Sequence, residues 1–164
     1  MARRVIFCEG PQVEQNPFFR TLPFRPVKGE LLRVSVHQPL DVIYNRRIFI
    51  LPQAAHEAII GATYEWQDTS LAPTIKARNI LEERLGSIFR LSYTIRDQPV
   101  GIRPATFDRR PFIGLHPQYP QLAIFNGLGA KGVSLAPYLA KVFVEHLLLK
   151  KELPREVQLS RVSF

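Results

Sequence analysis

The chain has 164 residues, 46% of them apolar and 10% aromatic, with a formal net charge of +8, a length that suits one domain around one good core. The longest apolar run, around Val142 to Leu149, is broken by Glu145 and His146 and falls short of the roughly 20 residues a membrane span needs. Val5 to Cys8 is too short for a secretory apolar region, so neither membrane nor signal segment is expected, and a cytoplasmic location is. The single cysteine, Cys8, excludes an internal disulfide and fits a reducing compartment.

Arg4 to Cys8 reads as a short buried strand that ends at Gly10 and Pro11. A loop through Asn16 to Pro26, rich in Pro and Phe, leads to Leu32, Val34 and Val36, which alternate with Arg33 and Ser35 as in a strand with one buried face. Arg47 to Leu51 and Ala58 to Gly61 form a further pair of strands. The short connection through Pro52 and His56 makes them antiparallel. Pro73 stands at the start of a helix whose stripe of Ile75, Ile80, Leu81 and Leu85 closes at Gly86 as a C-cap. Ile88 to Ile95 and Leu122 to Phe125 are strands. The last helix, about Val133 to Lys150, carries Leu135, Leu139, Phe143 and Leu147 at i+4 spacing, with Lys150 and Lys151 at its negative end and Pro137 tolerated near its first turn. There is no internal repeat and no low-complexity linker. The pattern predicts an α+β fold, a mixed and largely antiparallel sheet covered by helices mainly on one side.

The basic residues, among them Arg3, Arg4, Arg20, Arg46, Arg47, Arg109, Arg110, Lys150 and Lys151, are scattered. They lack the aromatic interleaving of a base-stacking surface, which argues against nucleic acid as a partner. A cleft that collects anionic small molecules accounts for the charge as well, and a solvated basic surface is the plainer reading. His37, His56, His116 and His146 show no metal-ligand spacing and no cysteine partner, so no metal site is expected. No Ser/His/Asp arrangement and no catalytic residue can be singled out, and Ser134 reads as a helix cap.

The richest stretch runs from Gly101 to Leu139: Gly-Ile-Arg-Pro at 101–104, Asp-Arg-Arg-Pro-Phe-Ile-Gly at 108–114, then Gly-Leu-Gly-Ala-Lys-Gly-Val at 127–133. A strand that runs into three glycines and then a helix offers backbone N–H groups and a positive helix end to an anionic or electron-rich group. A plain strand-to-helix turn is the alternative. No Gly-x-Gly-x-x-Gly occurs early in the chain with an acidic residue about 20 positions on, so the other half of a dinucleotide site is missing from the sequence.

These segments together resemble the C-terminal half of the FAD-dependent D-amino-acid oxidase, glycine oxidase and sarcosine oxidase superfamily. Val5 to Gly10 is similar to the strand that closes that family's FAD domain, with Cys8-Glu9 where small residues are usual. Pro26 to Leu31 is similar to the strand entering its substrate domain, and Arg47 to Pro52 with Ile60 to Glu65 to its hairpin over the substrate. Gly101 to Pro104, Asp108 and Pro111 to Gly114 are similar to its Gly-Leu-Arg-Pro, Asp and Pro-Ile-Ile-Gly signature. Gly127 to Val133 matches its Gly-His-Gly-Gly-His-Gly-Leu loop in spacing, and Leu159 to Phe164 is similar to its closing Arg-Phe segment.

The resemblance implies residues 1–10 as a remnant of the FAD-binding domain, 11–100 as a substrate domain, and 101–164 as the return to the FAD domain. It implies FAD as cofactor, contacted by Gly10, Gly101, Ile102, Gly127, Gly129, Ala130, Lys131, Gly132 and Val133, the glycine loop lying near the flavin C2 carbonyl. Lys131 would add positive charge there, although a solvated loop lysine is the plainer reading. Arg103 would grip a substrate carboxylate through its planar fork, in place of the surface or ion-pair role usual for an arginine before proline. Phe49 and Tyr44 would line the substrate pocket, or else pack at the sheet edge. The implied reaction moves a hydride from an amine or amino acid to flavin N5. The chain alone would bind FAD weakly or not at all, its partner being the missing N-terminal FAD-binding half. The competing expectation is a non-catalytic ligand- or partner-binding module derived from the same fold.

Overall fold

The computed structural model describes residues 3–162. In chain order the strands and helices are β1 (Val5–Phe7), β2 (Val27–Val36), β3 (Tyr44–Arg46), β4 (Ile48–Ala54), β5 (Glu57–Gly61), α1 (Ile75–Gly86), β6 (Tyr93–Asp97), β7 (Val100–Arg103), β8 (Phe112–Leu115), β9 (Leu122–Asn126) and α2 (Gly132–Leu149). The α+β class holds, but two sheets replace the expected one. Two compact units carry them: residues 28–102, and residues up to 27 together with those from 103 on. The expected first boundary was residue 10; the break in packing follows Val27.

In the unit of residues 28–102 the strands run in the order β3-β4-β5-β2-β6, with β7 also paired to β2. The β4–β5 pair is antiparallel as expected, with Ile50 opposite Ile60. Leu32, Val34 and Val36 of β2 are buried with Ile48, Ile50, Ala58 and Ile60 against Leu81 and Leu85 of α1. The buried stripe of α1 is Ala77, Leu81 and Leu85, one side chain every fourth residue, while Ile75 is exposed. Thr74, not Pro73, starts this helix: its side chain accepts from the Ala77 N–H at 3.1 Å. Gly86 is no left-handed C-cap either. The helix runs through it to Ser87, whose hydroxyl donates to the Arg84 carbonyl at 2.7 Å. Residues 88–92 are not strand; Phe89 turns into the core, and β6 begins at Tyr93.

Two charges lie in this interior and each is matched. Lys28 is fully buried, and its Nζ donates to Asp68 Oδ2 at 2.5 Å, the Ala72 carbonyl at 2.6 Å and Ser70 Oγ at 3.3 Å. Glu30 accepts at Oε2 from the Thr74 N–H at 2.9 Å and Gln98 Nε2 at 2.7 Å, and at Oε1 from the Thr74 hydroxyl at 2.8 Å. An unmatched charge in such a place would be far costlier than the network. The pair therefore anchors the irregular connection from β5 to α1 onto β2.

In the other unit, β9 lies between β1 and β8. It pairs with β1 in parallel, Val5 opposite Leu122 and Phe7 opposite Ile124, and with β8 antiparallel, Phe112 opposite Asn126. The pleat sends Leu122, Ile124 and Phe112 to a core with Phe7, Val13, Phe19 and Leu22, so the Pro- and Phe-rich loop is packing material. Ala123, Phe125 and Ile113 face Leu139 and Phe143 of α2 with Leu153 and Val157. Both faces of β8 and β9 are covered, whereas Val5 and Ile6 of β1 are exposed.

Of the expected α2 stripe, Leu139 and Phe143 are buried and Leu135 and Leu147 half-buried, and the helix ends on Lys150 in the left-handed conformation (φ +59°). The segment Gly129–Leu149 is long and apolar enough to cross a membrane by length and composition, with a mean hydropathy of 1.3, which the run-length expectation did not foresee. Lys141 and Glu145 stand on its central turns, where a charge in a bilayer costs about 2.5–3.5 kcal/mol or more.

The hydrogen bond from Lys28, helped by the Ser70 N–H, holds the Asp68 carboxyl down at about 2. A carboxyl whose folded pKa is depressed adds stability above its unfolded value of about 3.9 and loses it as pH falls toward the folded one. Asp68→Asn should therefore lower stability at pH 7, and the deficit relative to wild type should shrink between about pH 4 and pH 2, as read by urea unfolding at each pH.

Candidate functional site

Parallel pairing sets the carboxyl ends of β1 and β9 side by side, the position at which open parallel sheets take ligands. The chain leaves β1 through Gly10 (φ +60°) and leaves β9 through Gly127 (φ +81°) and Gly129 (φ +53°). One buried side chain joins the two exits. Asn126 Nδ2 donates to the Gly10 carbonyl at 2.8 Å, and its Oδ1 accepts from the Gly127 N–H at 2.8 Å. On the far side, Asn16 Nδ2 donates to Glu9 Oε1 at 2.6 Å, which steadies the turn that carries Gly10.

Beyond the glycines a single turn of 3-10 helix, Gly129–Lys131, leads into α2. No side-chain hydrogen bond caps α2 among the described residues; the 3-10 turn before it is closed by the Lys131 N–H donating to the Leu128 carbonyl at 3.1 Å. Ser134 lies one turn inside and donates its hydroxyl to the Lys131 carbonyl at 3.1 Å, which is not the expected cap. Ala130, Lys131 and Val133 are exposed beside Gly132. The cradle thus combines two left-handed strand exits, a bridging carboxamide and a positive helix end.

The glycines of the loop are not equivalent. A Cβ on Gly127 would stand 2.7 Å from Thr106 Cγ2 and 3.3 Å from the Phe112 nitrogen, in a conformation L-residues avoid. Gly129 has the left-handed conformation but more room, with Ala105 at 3.7 Å. Gly132 is helical and would meet only Leu128 at 3.6 Å, so nothing in its surroundings requires glycine.

Of the remaining expected residues, Gly101, Ile102, Tyr44 and Phe49 belong to the unit of residues 28–102, and Arg103 to the unit that holds the cradle. Gly101 and Ile102 belong to β7 in the unit of residues 28–102, and a Cβ on Gly101 would meet nothing within 4 Å. Arg103 ends β7, half-buried, its carbonyl accepting from the Ala105 N–H at 2.8 Å. Tyr44 and Phe49 both lie at the β3–β4 edge. Tyr44 is opposite Ile50, so it shares the face of Ile50, whereas Phe49 points to the other face and packs over Gly61. They do not line one pocket. Asn126 and Thr106 escaped the sequence reading, although an asparagine closing an apolar strand before glycine was the available signal for the first. Ser163 and Phe164 of the closing segment lie outside the described residues.

A parallel strand pair whose ends carry glycines into a helix is an arrangement that nucleotide-cofactor proteins use. The chain belongs to the FAD dependent oxidoreductase family, whose model matches residues 1–146, and FAD is that family's cofactor. It is 32% identical over 144 residues to the bifunctional protein ThiO/ThiG of Nostoc sp., covering 81% of this chain and 22% of that protein. It is 29% identical over 166 residues to the glycine oxidase of Bacillus subtilis, covering 94% and 43%. Among solved structures it is similar to glycine oxidase from Geobacillus kaustophilus, with a TM-score of 0.79 and 24% identity over 98% of this chain and 46% of that one. Iminodiacetate oxidase from Chelativorans sp. has the same TM-score at 23% identity, over 96% and 46%. The chain spans less than half the length of these relatives.

Gly127→Ala should destabilise the protein by roughly 1–3 kcal/mol through the left-handed φ and the clash with Thr106. Gly132→Ala should be neutral or stabilising. Thermal or denaturant unfolding of the two variants reads the difference.

Proposed function

We propose that this chain is the C-terminal half of an FAD-dependent amine or amino-acid oxidoreductase, in which residues 28–102 form the substrate domain and the rest completes a flavin domain. The observation that carries this reading is the open edge of β1. No strand pairs with its outer side among the described residues, and Val5 and Ile6, on opposite faces, are each 43% exposed. Strands in parallel sheets are ordinarily covered on both faces. The apolar outer surface of α2, with Val133, Tyr138, Val144 and Leu148 exposed, adds a second uncovered area. A further parallel strand with its crossover helix, carrying the dinucleotide fingerprint absent here, would cover such surfaces, whether it comes from the same polypeptide or another. A cytoplasmic location belongs to the same reading.

The cradle fits the ring end of FAD and not its other end. Gly10 and Gly129, both half-buried, turn the chain at the adjoining ends of β1 and β9 over the buried Asn126 and Gly127, while the chain holds no glycine-rich turn for the pyrophosphate. When bound, FAD supplies a hydride acceptor at N5 for the carbon that bears the amine. The chain's own residues orient and stabilise. The N–H groups at the start of α2 favour negative charge at the ring edge, and Lys131 adds to it. Arg103 holds a substrate carboxylate through two charge-assisted hydrogen bonds; the small amino acids in the names of the relatives support a compact substrate of that kind. A non-catalytic module is favoured only by the missing fingerprint.

Purified alone, the chain should bind FAD weakly and form no peroxide in the presence of amino acids. Joined to a half that carries the Gly-x-Gly-x-x-Gly turn, it should retain one flavin per molecule. Stoichiometric flavin with turnover in the chain alone would overturn the missing half, and no flavin uptake by the joined protein would leave the binding module standing. In the joined enzyme, Arg103→Lys should raise KM for a carboxylate substrate by the equivalent of about 2–5 kcal/mol, with flavin content unchanged.

A further inference from the structure

Gly127 and Gly129 rest on a second loop, residues 104–112. The Gly129 N–H donates to the Pro104 carbonyl at 3.3 Å, and the methyl of Thr106 fills the place a Cβ on Gly127 would take. That loop has little regular structure of its own. It turns through Arg109 in the left-handed conformation (φ +59°), closed by a hydrogen bond from the Arg109 N–H to the Thr106 carbonyl at 3.1 Å. What holds it comes from far along the chain. Arg161, on a short 3-10 turn, donates from Nε to Asp108 Oδ2 at 3.1 Å, from Nη2 to the Arg110 carbonyl at 2.8 Å and from Nη1 to the Gln158 carbonyl at 3.0 Å. Its guanidinium lies 3.7 Å above the ring of buried Phe112.

Asp108 passes the grip inward. Its Oδ1 accepts from the Arg110 N–H at 3.1 Å and lies 3.1 Å from the Thr106 hydroxyl, which also donates to the Arg110 carbonyl at 2.8 Å. Thr106 is buried directly beneath Gly127. Burial opposes the charge on Asp108, but the hydrogen bonds from Arg161 and the Arg110 N–H outweigh it and hold the carboxyl below its ordinary range. A planar, permanently charged guanidinium serves three acceptors in directions fixed by its plane, a geometry that the rotating donors of an ammonium do not reproduce.

We propose that Arg161 is a positioning residue for the glycine-rich loop: with Asp108 it latches residues 104–112, and through Thr106 it sets where the Gly127–Gly129 backbone stands. The link from the latch to a cofactor rests on the proposed flavin role of that loop; the latch itself does not. A latch and a generic stabilising contact differ in where the structure loosens. Loss of the latch frees the loops locally, whereas loss of general stability raises opening throughout the unit together.

Amide hydrogen exchange of the full chain under native conditions separates the two. In Arg161→Gln, the N–H groups of Arg109, Gly127 and Gly129 should exchange about tenfold faster or more, while those of β8 and β9 stay within a few-fold of wild type. Arg161→Lys should restore only part of the protection, and Asp108→Asn should reproduce the pattern should Arg161→Gln fold poorly. Equal acceleration at all these amides, or none at Gly127 and Gly129, would overturn the proposal. In the joined enzyme the same variant should weaken FAD binding by about tenfold. Unchanged affinity despite local loosening would overturn the positioning of a cofactor, and a wild-type joined protein that takes up no flavin would overturn the functional reading while the exchange pattern still decides the latch.

Discussion

The parallel pairing of β1 with β9 is the constraint on which the rest of this unit depends. Two short strands from nearly opposite ends of the sequence are set side by side with their carboxyl ends aligned, so Gly10 and Gly127 leave the sheet at the same edge. Asn126 then spans 116 positions of sequence with one carboxamide that serves both exits. Closing so long a loop costs entropy that three residues of ladder hydrogen bonding cannot repay. The apolar layers on the two faces repay it, from Phe7, Val13, Phe19 and Phe112 on one side and from Leu139 and Phe143 on the other.

The unit of residues 28–102 is organised by a different principle. Its sheet has an apolar face under α1, but its irregular connection between β5 and α1 is held by buried charge, Lys28 and Glu30, each with several partners. Such a network is directional, so it specifies one arrangement of the connection where apolar packing would tolerate several. The expected substrate residues divide accordingly. Tyr44 and Phe49 lie on opposite faces of this unit's edge, and Arg103 stands at the end of β7, where the chain passes from one unit to the other.

In the glycine loop, backbone conformation and packing are parts of one design. Gly127 takes an angle that suits glycine, and Thr106 fills the space the missing side chain leaves, so the backbone is both free to bend and firmly seated. The loop beneath it is held by Arg161 from the last described turn of the chain. The supports of this segment come from separate stretches of sequence: Gly10 through Asn126, Thr106 beneath Gly127, and Arg161 on the loop that carries Thr106. In the proposed flavin role such support matters, since small displacements weaken oriented hydrogen bonds.

Periodicity alone determined much of the local structure: the alternation of Leu32, Val34 and Val36, the β4–β5 pair and the i+4 stripe of α2 all depend on near neighbours. The order of Gly-Ile-Arg-Pro, Asp108 and the 127–133 glycines carried the family resemblance, because a turn's chemistry is written in consecutive residues. Capping was less legible: Thr74 and Ser87 took the roles read for Pro73 and Gly86, since caps are settled by which backbone groups the rest of the fold leaves unpaired. Only the tertiary structure decided that the sheet is two sheets, that the Phe-rich loop is core, that Asn126 joins Gly10 to Gly127, that Thr106 contacts Gly127, and that Arg161 binds the loop that carries Thr106. Those are contacts between residues distant in sequence, and no local pattern encodes which distant partner a buried polar group will find.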